Sequence, residues 1–229
     1  MKKVVIGIVA KHIKTDRIRT DSLIRDEVKQ AIFDNDAVAI GILSPNEEIL
    51  YTSDNWKQYE VKLEKENIIN QINLCDGIII QGGSTNEAYE NYISKYCYEN
   101  DIPILGICAG QNSIVRALGG TTVLIDNPEK HYRCNDIYVH DIIVNKNSKF
   151  YSIVGKEKIV VNSRHKRTVD LCPNLNKVAF CQDNYADVIE SKAKKFYIGL
   201  RFHPESLYKI DKNMNNIFKY FINVCKSRK

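Results

Sequence analysis

The stretch from residue 102 to residue 120, IPILGICAGQNSIVRALGG, joins an apolar run to a helical pattern through a turn of small residues. The run Ile104–Ile107 predicts a buried strand, and apolar residues after Gly110 recur at helical spacing. Gly106 and Gly110 lie two residues before and two residues after Cys108, and small residues there let the chain turn sharply without clashes. The stretch therefore predicts a nucleophile elbow in an α/β fold, with Cys108 at the turn.

The position of Cys108 also bears on its reactivity. An elbow places the sulfur above the carboxyl end of the sheet and near the N-terminus of the next helix, where backbone N–H groups and the helix dipole favour thiolate over thiol. A single cysteine after an apolar strand is just as commonly a buried structural residue. The elbow motif alone leaves both interpretations open.

A second motif, YIGLRFHPESL at residues 197–207, ends an alternating apolar strand in Phe-His-Pro-Glu. Pro204 fixes the backbone so that the side chains of His203 and Glu205 can turn toward each other. A cysteine nucleophile needs an imidazole to take and return its proton, and the imidazole needs an acceptor that fixes its tautomer. We therefore predict a triad of Cys108, His203 and Glu205, although a salt bridge at a strand end is the alternative for the last two.

A third motif, DGIIIQGGSTNE at residues 76–87, delivers a hydrophobic strand into Gly82 and Gly83. Paired glycines at the carboxyl end of a strand let backbone N–H groups point into a cleft. One of these groups, together with the N–H of Ala109, would form an oxyanion hole for a tetrahedral intermediate. A glycine pair is usually only a turn, so this prediction depends on the elbow one helix and one strand later.

Short apolar runs alternate with helical patterns in the first half of the chain, which is typical of a parallel sheet covered by helices on both faces. The second half has shorter runs separated by turns and predicts a β-meander, followed by a C-terminal helix. No linker divides the chain, so we expect one domain over residues 1–229. Strands are predicted at Val4–Val9, Ala37–Ile42, Gly77–Ile80, Ile104–Ile107, Ile137–Val144, Lys158–Val161, Lys177–Cys181, Ala186–Glu190 and Tyr197–Arg201, and helices at Ser22–Phe33 (N-cap Asp21), Glu60–Ile72, Glu87–Tyr98 and Asn213–Cys225.

Composition excludes several classes of function. The chain has 33 basic and 28 acidic residues, a net charge of +5 spread along the chain, which does not predict nucleic-acid binding. Its longest apolar runs, such as Val4–Ala10, are far shorter than the ~20 residues that span a bilayer, so we expect a cytoplasmic protein without membrane contact. The seven cysteines have no CxxC pair or regular spacing, and they predict reduced thiols rather than disulfides or a zinc site.

Together these motifs, in this order, resemble the class I glutamine amidotransferase superfamily, whose elbow commonly reads GxCxGxQ and whose triad ends in HPE. Within it, the segment from His140 through Asn162, Ser163 and His165 resembles the γ-glutamyl-γ-aminobutyrate hydrolase family. The resemblance implies a flavodoxin-like three-layer sandwich with a mostly parallel central sheet and a C-terminal β-meander. It also implies a Cys-His-Glu triad, no metal, no cofactor and a small-molecule γ-glutamyl amide substrate.

This sequence departs from the pattern at positions that would contact substrate. Asn112 stands where the superfamily usually has Gln, with Gln111 one position earlier, and Arg201 stands where Gln is common. Lys166 and Arg167 follow the NSxH segment and would present N–H groups or positive charge to a substrate carboxylate, unless they form only an exposed basic loop. The predicted oxyanion and substrate contacts are Gly82, Gly83, Ala109, Gln111, Asn112, Ser163, His165, Lys166 and Arg167.

These observations lead first to a free-standing hydrolase of γ-glutamyl amides, because the chain ends one helix after the HPE motif. The alternative is a glutaminase subunit that delivers ammonia to a separate synthase. A third interpretation, a binding module that only keeps the fold, conflicts with the intact triad. A homodimer is compatible with all three, and a synthase partner only with the second.

Overall fold

The computed structural model describes residues 2–14, 20–46, 48–51 and 56–227. Within these ranges it contains thirteen strands and eight helices. The strands are β1 (Val5–Val9), β2 (Lys11–Lys14), β3 (Thr20–Leu23), β4 (Val38–Ile42), β5 (Gly77–Ile80), β6 (Ile104–Ile107), β7 (Thr122–Leu124), β8 (His140–Val144), β9 (Lys158–Val161), β10 (Arg167–Val169), β11 (Asn176–Cys181), β12 (Ala186–Glu190) and β13 (Tyr197–Leu200). The helices are α1 (Asp26–Phe33), α2 (Trp56–Lys62), α3 (Lys65–Asn73), α4 (Ala88–Glu99), α5 (Ala109–Ala117), α6 (Pro128–His131), α7 (Lys149–Val154) and α8 (Lys212–Lys226).

Nine strands form the central sheet, in the order β4-β1-β5-β6-β13-β12-β11-β8-β9. Pairing is parallel from β4 to β13 and antiparallel from β13 to β9, so the sheet is mixed, with half of its pairings parallel. The antiparallel neighbours β11, β12 and β13 form the expected meander. This architecture confirms the predicted α/β flavodoxin-like class.

The register of the sheet brings the three sequence motifs together. Strand β6 pairs in parallel with β5 on one side, with Gly106 opposite Ile80, and with β13 on the other, with Ile107 opposite Leu200. The carboxyl ends of three adjacent strands therefore lie at one edge of the sheet. The glycine pair follows β5, Cys108 follows β6, and the HPE motif follows β13.

Apolar side chains cover both faces of this sheet. On one face, Val28 of α1, Phe150 of α7 and Phe221 of α8 pack in a single core with residues of the strands. On the other, Ile68 of α3 and Ile114 of α5 belong to a second core that also includes residues of α4. Among the described residues, no helix combines the length and the apolar character that crossing a bilayer requires.

Two predicted helices differ from those observed. The first begins at Asp26 rather than Ser22, with Arg25 and not Asp21 as its N-cap. The reason is that Thr20–Leu23 forms a strand that pairs antiparallel with Lys11–Lys14. Its backbone N–H and C=O groups bond to that strand and are not available for a helix. The helix predicted over residues 60–72 is two helices, α2 and α3, interrupted where the Lys62 carbonyl accepts a hydrogen bond from the Asn46 side chain.

Candidate active site

Cys108 lies at a sharp turn between β6 and α5. Its φ is +51° and its ψ −103°, a conformation that residues other than glycine rarely adopt and that is concentrated at functional sites. The flanking glycines are required by packing, since a Cβ on Gly106 would lie 2.7 Å from the Gly110 carbonyl oxygen and one on Gly110 would overlap the Ile80 carbonyl. The Cys108 N–H donates to the Leu200 carbonyl at 2.8 Å. The elbow is thereby fixed to β13.

The three side chains of the predicted triad lie together at the carboxyl edge of the sheet. His203 Nδ1 is 2.7 Å from Glu205 Oε1, and both residues are buried. The imidazole also lies beside Cys108, since a Cβ on Gly82 would be within 3.4 Å of both side chains. The side-chain amide of Asn162 forms two hydrogen bonds with the backbone of His203. Its Oδ1 accepts from the His203 N–H at 2.7 Å, and its Nδ2 donates to the His203 carbonyl at 2.8 Å. Asn162 is thus a positioning residue for the imidazole.

This arrangement shifts the protonation of both reactive groups. Burial alone would raise the pKa of the Cys108 thiol, but the charge of His203, its hydrogen bond and the charge of Arg201 outweigh burial and lower that pKa. Burial would lower the pKa of His203, whereas Glu205 and Cys108 raise it to about 10. Both shifts move the pair toward an imidazolium beside a thiolate.

The glycine pair lies where the sequence places it, beside the elbow. A Cβ on Gly82 would lie 2.8 Å from His203 Cε1 and 3.4 Å from Cys108 Cβ, so only glycine fits against this pair without displacement. Gly83 and Ala109 both line the cleft next to Cys108. This placement is the one that an oxyanion hole built from their backbone N–H groups would need.

We expect Gly82→Ala to lower kcat/KM for the reaction proposed below by roughly 10- to 100-fold, because displacing the imidazole by a fraction of an ångström spoils its alignment with the thiol. Thermal melting should change little, since the added methyl group meets only the site. Gly41→Ala is a suitable control, because its Cβ would meet the ends of the Ile24 and Leu43 side chains, at 2.9 and 3.9 Å, and no residue of the triad. Equal kinetics for the two variants would show that the close approach of Gly82 has no functional role.

The cleft above Cys108 has a volume of about 340 Å³ and a strongly basic lining. Four cationic side chains border it, whereas the carboxylates of Glu27 and Glu205 line the adjoining part of the space around Cys108. Because cations outnumber carboxylates there, the potential is positive and attracts an anion. The four cationic residues are Arg164, Lys166, Arg167 and Arg201.

The structure brings some, but not all, of the predicted substrate contacts to this cleft. Asn112, His165, Lys166 and Arg167 line it. Gln111 does not, because it is wholly buried and its amide donates to the carbonyls of Gly199 at 3.0 Å and Asp187 at 3.3 Å. The structure therefore does not bring the Gln111 side chain to the cleft, because at the start of α5 residue 111 faces the sheet while residue 112 faces the cleft.

The remaining predicted contacts also differ in their surroundings. Ser163 is fully buried and is not among the residues that border the cleft; its carbonyl accepts from the Arg133 N–H at 3.0 Å. Lys166 lies with its ammonium 4.5 Å from the Tyr132 ring centre. Arg167 donates to the Thr122 carbonyl at 2.6 Å, within the small sheet of β7 and β10. Arg167 is therefore held in place within this small sheet, whereas Lys166 is exposed in the bend before it.

In the sequence, Arg201 stands out only because it departs from the superfamily pattern. The structure shows that its side chain is buried next to the nucleophile. It is 2% exposed, and its Nη1 donates to Asn112 Oδ1 at 2.8 Å and to the Cys108 carbonyl at 3.4 Å. Burial lowers the pKa of its guanidinium to about 10, which still leaves it charged at neutral pH. The two departures from the superfamily pattern, Asn112 and Arg201, thus form one hydrogen-bonded pair next to the nucleophile.

This fold and site define a hydrolase-like domain of the class I glutamine amidotransferase type. The elbow cysteine lies at the carboxyl edge of a mixed sheet, and the histidine and the carboxylate follow the neighbouring strand, β13. The family model described as Peptidase C26 matches residues 84–205, which is more than half of the chain. The chain belongs to this family.

Among curated proteins, the chain is similar to the glutamine-hydrolyzing GMP synthase of Prochlorococcus marinus, with 33% identity over 158 residues, covering 66% of this chain and 28% of that protein. It is also similar to the CTP synthase of Borreliella afzelii, with 28% identity over 186 residues, covering 66% of this chain and 35% of that protein. The chain therefore spans about a third of the length of these relatives.

Two solved structures share the fold over nearly the whole chain. The glutaminase domain of Trypanosoma brucei CTPS aligns with a TM-score of 0.65 and 17% identity, covering 99% of this chain and 95% of that one. A glutamine amidotransferase from Thermotoga maritima aligns with a TM-score of 0.62 and 16% identity, covering 100% and 98%. At this level of identity the likeness concerns the fold alone.

Proposed function

We propose that this protein hydrolyses the side-chain amide of glutamine through Cys108 and acts as the glutaminase component of an amidotransferase. The observation that carries the proposal is the position of the Cys108 thiol beside the His203 imidazole, whose Nδ1 lies 2.7 Å from Glu205 Oε1, at the floor of a basic cleft. A thiolate, a proton carrier and an acceptor for that carrier are the groups that amide hydrolysis by a cysteine needs.

In the proposed mechanism, the Cys108 thiolate attacks the δ-carbonyl carbon of glutamine and forms a tetrahedral oxyanion. The N–H groups of Gly83 and Ala109 stabilise this oxyanion. The His203 imidazolium gives its proton to the amide nitrogen, the C–N bond breaks and ammonia leaves a γ-glutamyl thioester. His203 then takes a proton from water, whose oxygen attacks the thioester carbon. Collapse releases glutamate and restores the thiolate and the imidazolium, so that glutamine and water give glutamate and ammonia.

The basic lining of the cleft supports a substrate that carries a carboxylate. Arg201 is held beside the nucleophile by Asn112, and Lys166 and Arg167 lie along the same cleft. The α-carboxylate of a γ-glutamyl group is the anion that would reach these cations while its δ-carbonyl is at Cys108. Position 201 is commonly Gln in the superfamily and is Arg in this chain. Arg201 strengthens the positive charge of the cleft, because it is a buried cation close to Cys108.

The relatives support glutamine as the amide and a synthase as the consumer of ammonia. One curated relative is a glutamine-hydrolyzing GMP synthase, another is a CTP synthase, and a solved neighbour is a glutaminase domain. These similarities support the glutaminase better than the free-standing hydrolase that the sequence placed first. γ-Glutamyl amines remain the second candidate, because the matching family model describes a peptidase, whose leaving group is an amine.

We expect the pure protein to release glutamate from glutamine slowly on its own, and faster when a cognate synthase is added. Glutamate release from glutamine and from a panel of γ-glutamyl amines, measured under identical conditions, tests this. Cys108→Ser protein provides the background rate. If γ-glutamyl amines are cleaved more than tenfold faster than glutamine without any partner, the second candidate replaces the first.

Blocking the α-carboxylate of the substrate as its amide should lower kcat/KM at least ~100-fold, because a site built to bind a charged group strongly penalises its loss. Changing the amine leaving group should matter less. The measurement is a comparison of kcat/KM for glutamine, its α-amide and γ-glutamyl methylamide. Equal kcat/KM for glutamine and its α-amide would contradict recognition of the carboxylate by the basic cleft.

A further inference from the structure

A cluster of metal-ligating side chains lies outside the cleft, at the meeting point of three separate segments. His131 ends α6, His140 begins β8 and Cys181 ends β11. One ligand atom from each lies within 4.8 Å of the corresponding atoms of the other two. Three potential ligands from distant parts of the sequence thus converge on one point that can hold an ion.

The two imidazole rings are oriented as metal-binding histidines usually are. His131 Nε2 lies 3.2 Å from Asp183 Oδ2, and His140 Nε2 lies 3.4 Å from Asp187 Oδ2. Nδ1 of His131 and both ring nitrogens of His140 are buried and make no hydrogen bond with any described residue. A histidine that binds a metal through one nitrogen typically turns the other to a carboxylate, which fixes its tautomer and its orientation. Nδ1 of His131 is therefore the nitrogen left for coordination, and His140 offers either of its two nitrogens.

We propose that His131, His140 and Cys181 bind one divalent transition-metal ion, and that this ion is Zn²⁺. Two imidazoles and a thiolate form a ligand set that favours zinc over Mg²⁺ or Ca²⁺, which require oxygen ligands. On binding, the Cys181 thiol releases its proton to solvent and its sulfur forms the bond to zinc. The thiolate and the carboxylates of Asp183 and Asp187 balance the charge of the ion.

The surroundings of the cluster give the ion a route in and a fourth ligand. His131, His140, Cys181 and Asp183 all line a surface depression of about 300 Å³ that is separate from the cleft above Cys108. Zinc is commonly four-coordinate and tetrahedral, and a water molecule entering through this depression completes the set.

Ring packing alone does not account for this cluster. The His131 ring centre lies 5.0 Å from that of His140, 5.1 Å from that of His165 and 5.6 Å from that of Tyr185, so the rings do pack together. Packing leaves the buried Nδ1 atoms without partners, which is costly for polar groups removed from water. A metal ion bound to both nitrogens removes that cost.

Metal binding would also fix part of the cleft wall. Tyr132 and Cys134, which line the space around Cys108, come one and three residues after His131 along the chain. An ion that joins His131 to β8 and β11 anchors this segment to the central sheet. We therefore expect Zn²⁺ to raise the Tm of the metal-free protein, because the ion binds the folded state.

The proposal is tested by titrating EDTA-treated full-length protein with Zn²⁺ in a calorimeter and with Co²⁺ in a spectrophotometer. Both titrations use the Cys108→Ser background, which removes the reactive thiol of the cleft as a competing ligand. We expect one ion per chain, a near-ultraviolet thiolate-to-cobalt charge-transfer band and a higher Tm. Cys181→Ala and His131→Gln should weaken Zn²⁺ binding at least ~100-fold, more than the loss of an outer-shell partner costs.

Cys172→Ala is the matched control, because Cys172 is a partly buried cysteine outside the cluster and its loss should leave Zn²⁺ affinity unchanged. Absence of Zn²⁺ binding at micromolar concentration, or a Co²⁺ spectrum without the thiolate band, would overturn the proposal. Equal loss of affinity in Cys181→Ala and Cys172→Ala would overturn it as well. The titration of the parent protein decides the question even if a ligand variant does not fold, and no step depends on glutamine hydrolysis.

Discussion

Replacing Cys108 by Ser is expected to lower kcat for glutamine hydrolysis by roughly 10⁴-fold or more while the Tm changes little. The thiol is the group that forms the covalent intermediate in the proposed mechanism, and a serine hydroxyl in its place has no lowered pKa from which to supply an anion. The backbone of the elbow is retained, because serine matches cysteine in shape and the flanking glycines are unchanged. Steady-state glutamate release and thermal melting measure the two quantities.

A chemical experiment tests the same prediction without mutation. One equivalent of a glutamine-like electrophile should modify Cys108 and stop turnover. Because the pKa of Cys108 is lowered, its labelling should persist at pH 6.5, where an ordinary thiol is almost fully protonated. Burial raises the pKa of the Cys172 thiol, so Cys172 should react slowly at the same pH.

Exposed Cys134 serves as the internal reference in that experiment, since it is accessible without being held against the histidine of the triad. Peptide mapping after partial labelling compares the two sites. Preferential modification of Cys134 with full loss of turnover would contradict the assignment of Cys108 as nucleophile.

The sequence predicts the elbow and its partners well, because their constraints are local. Gly106 and Gly110 are required by close backbone contacts, and this requirement is visible as spacing around Cys108. Strands Gly77–Ile80 and Ile104–Ile107 are confirmed residue for residue, since both are short apolar runs with clear ends, the first between Asp76 and Gln81 and the second directly after Pro103. Local chemistry therefore suffices for the fold class and for the meeting of the three motifs.

Contacts made by tertiary structure could not be predicted in the same way. Gln111 and Asn112 are adjacent in sequence, and only the rotation of α5 against β13 decides which of them reaches the cleft. Arg201 follows an alternating apolar strand, and nothing in that pattern indicates that its guanidinium lies buried beside Asn112. Both Asn112 and Arg201 depart from the superfamily pattern, and the structure shows that the two side chains are hydrogen-bonded to each other.

The His131, His140 and Cys181 cluster illustrates a different limit. Cysteine spacing predicts no zinc site, because metal motifs recognised from sequence place their ligands in close pairs. Here each ligand comes from a different element, and the convergence depends on the pairing of β8 with β11. Ligand sets assembled by sheet topology leave no regular spacing in the sequence.

Replacing His203 by Ala should reduce kcat by roughly 10⁵-fold or more, whereas Glu205→Gln should cost less, roughly 10²- to 10⁴-fold. The imidazole carries the proton to the leaving ammonia and cannot be replaced by the side chains around it. Glutamine at position 205 still offers an oxygen to His203 Nδ1, but it removes the negative charge that steadies the imidazolium. His12→Ala is a matched control, because His12 forms a comparable pair with Glu87 and does not line the cleft.

The pH profile separates a positioning role of Glu205 from a merely structural one. The pKa of His203 is raised to about 10, with Glu205 as the largest raising influence, so the wild-type rate should be lost only as the pH rises through about 10 and the imidazolium gives up its proton. Glu205→Gln removes that influence and should move this alkaline limb to lower pH. The acidic limb follows the Cys108 thiol, whose lowered pKa places this limb below the usual range of a thiol. Identical limbs in the variant and the wild type, or equal small losses for His203→Ala and Glu205→Gln, would mean that the histidine and the carboxylate serve the fold and not the reaction.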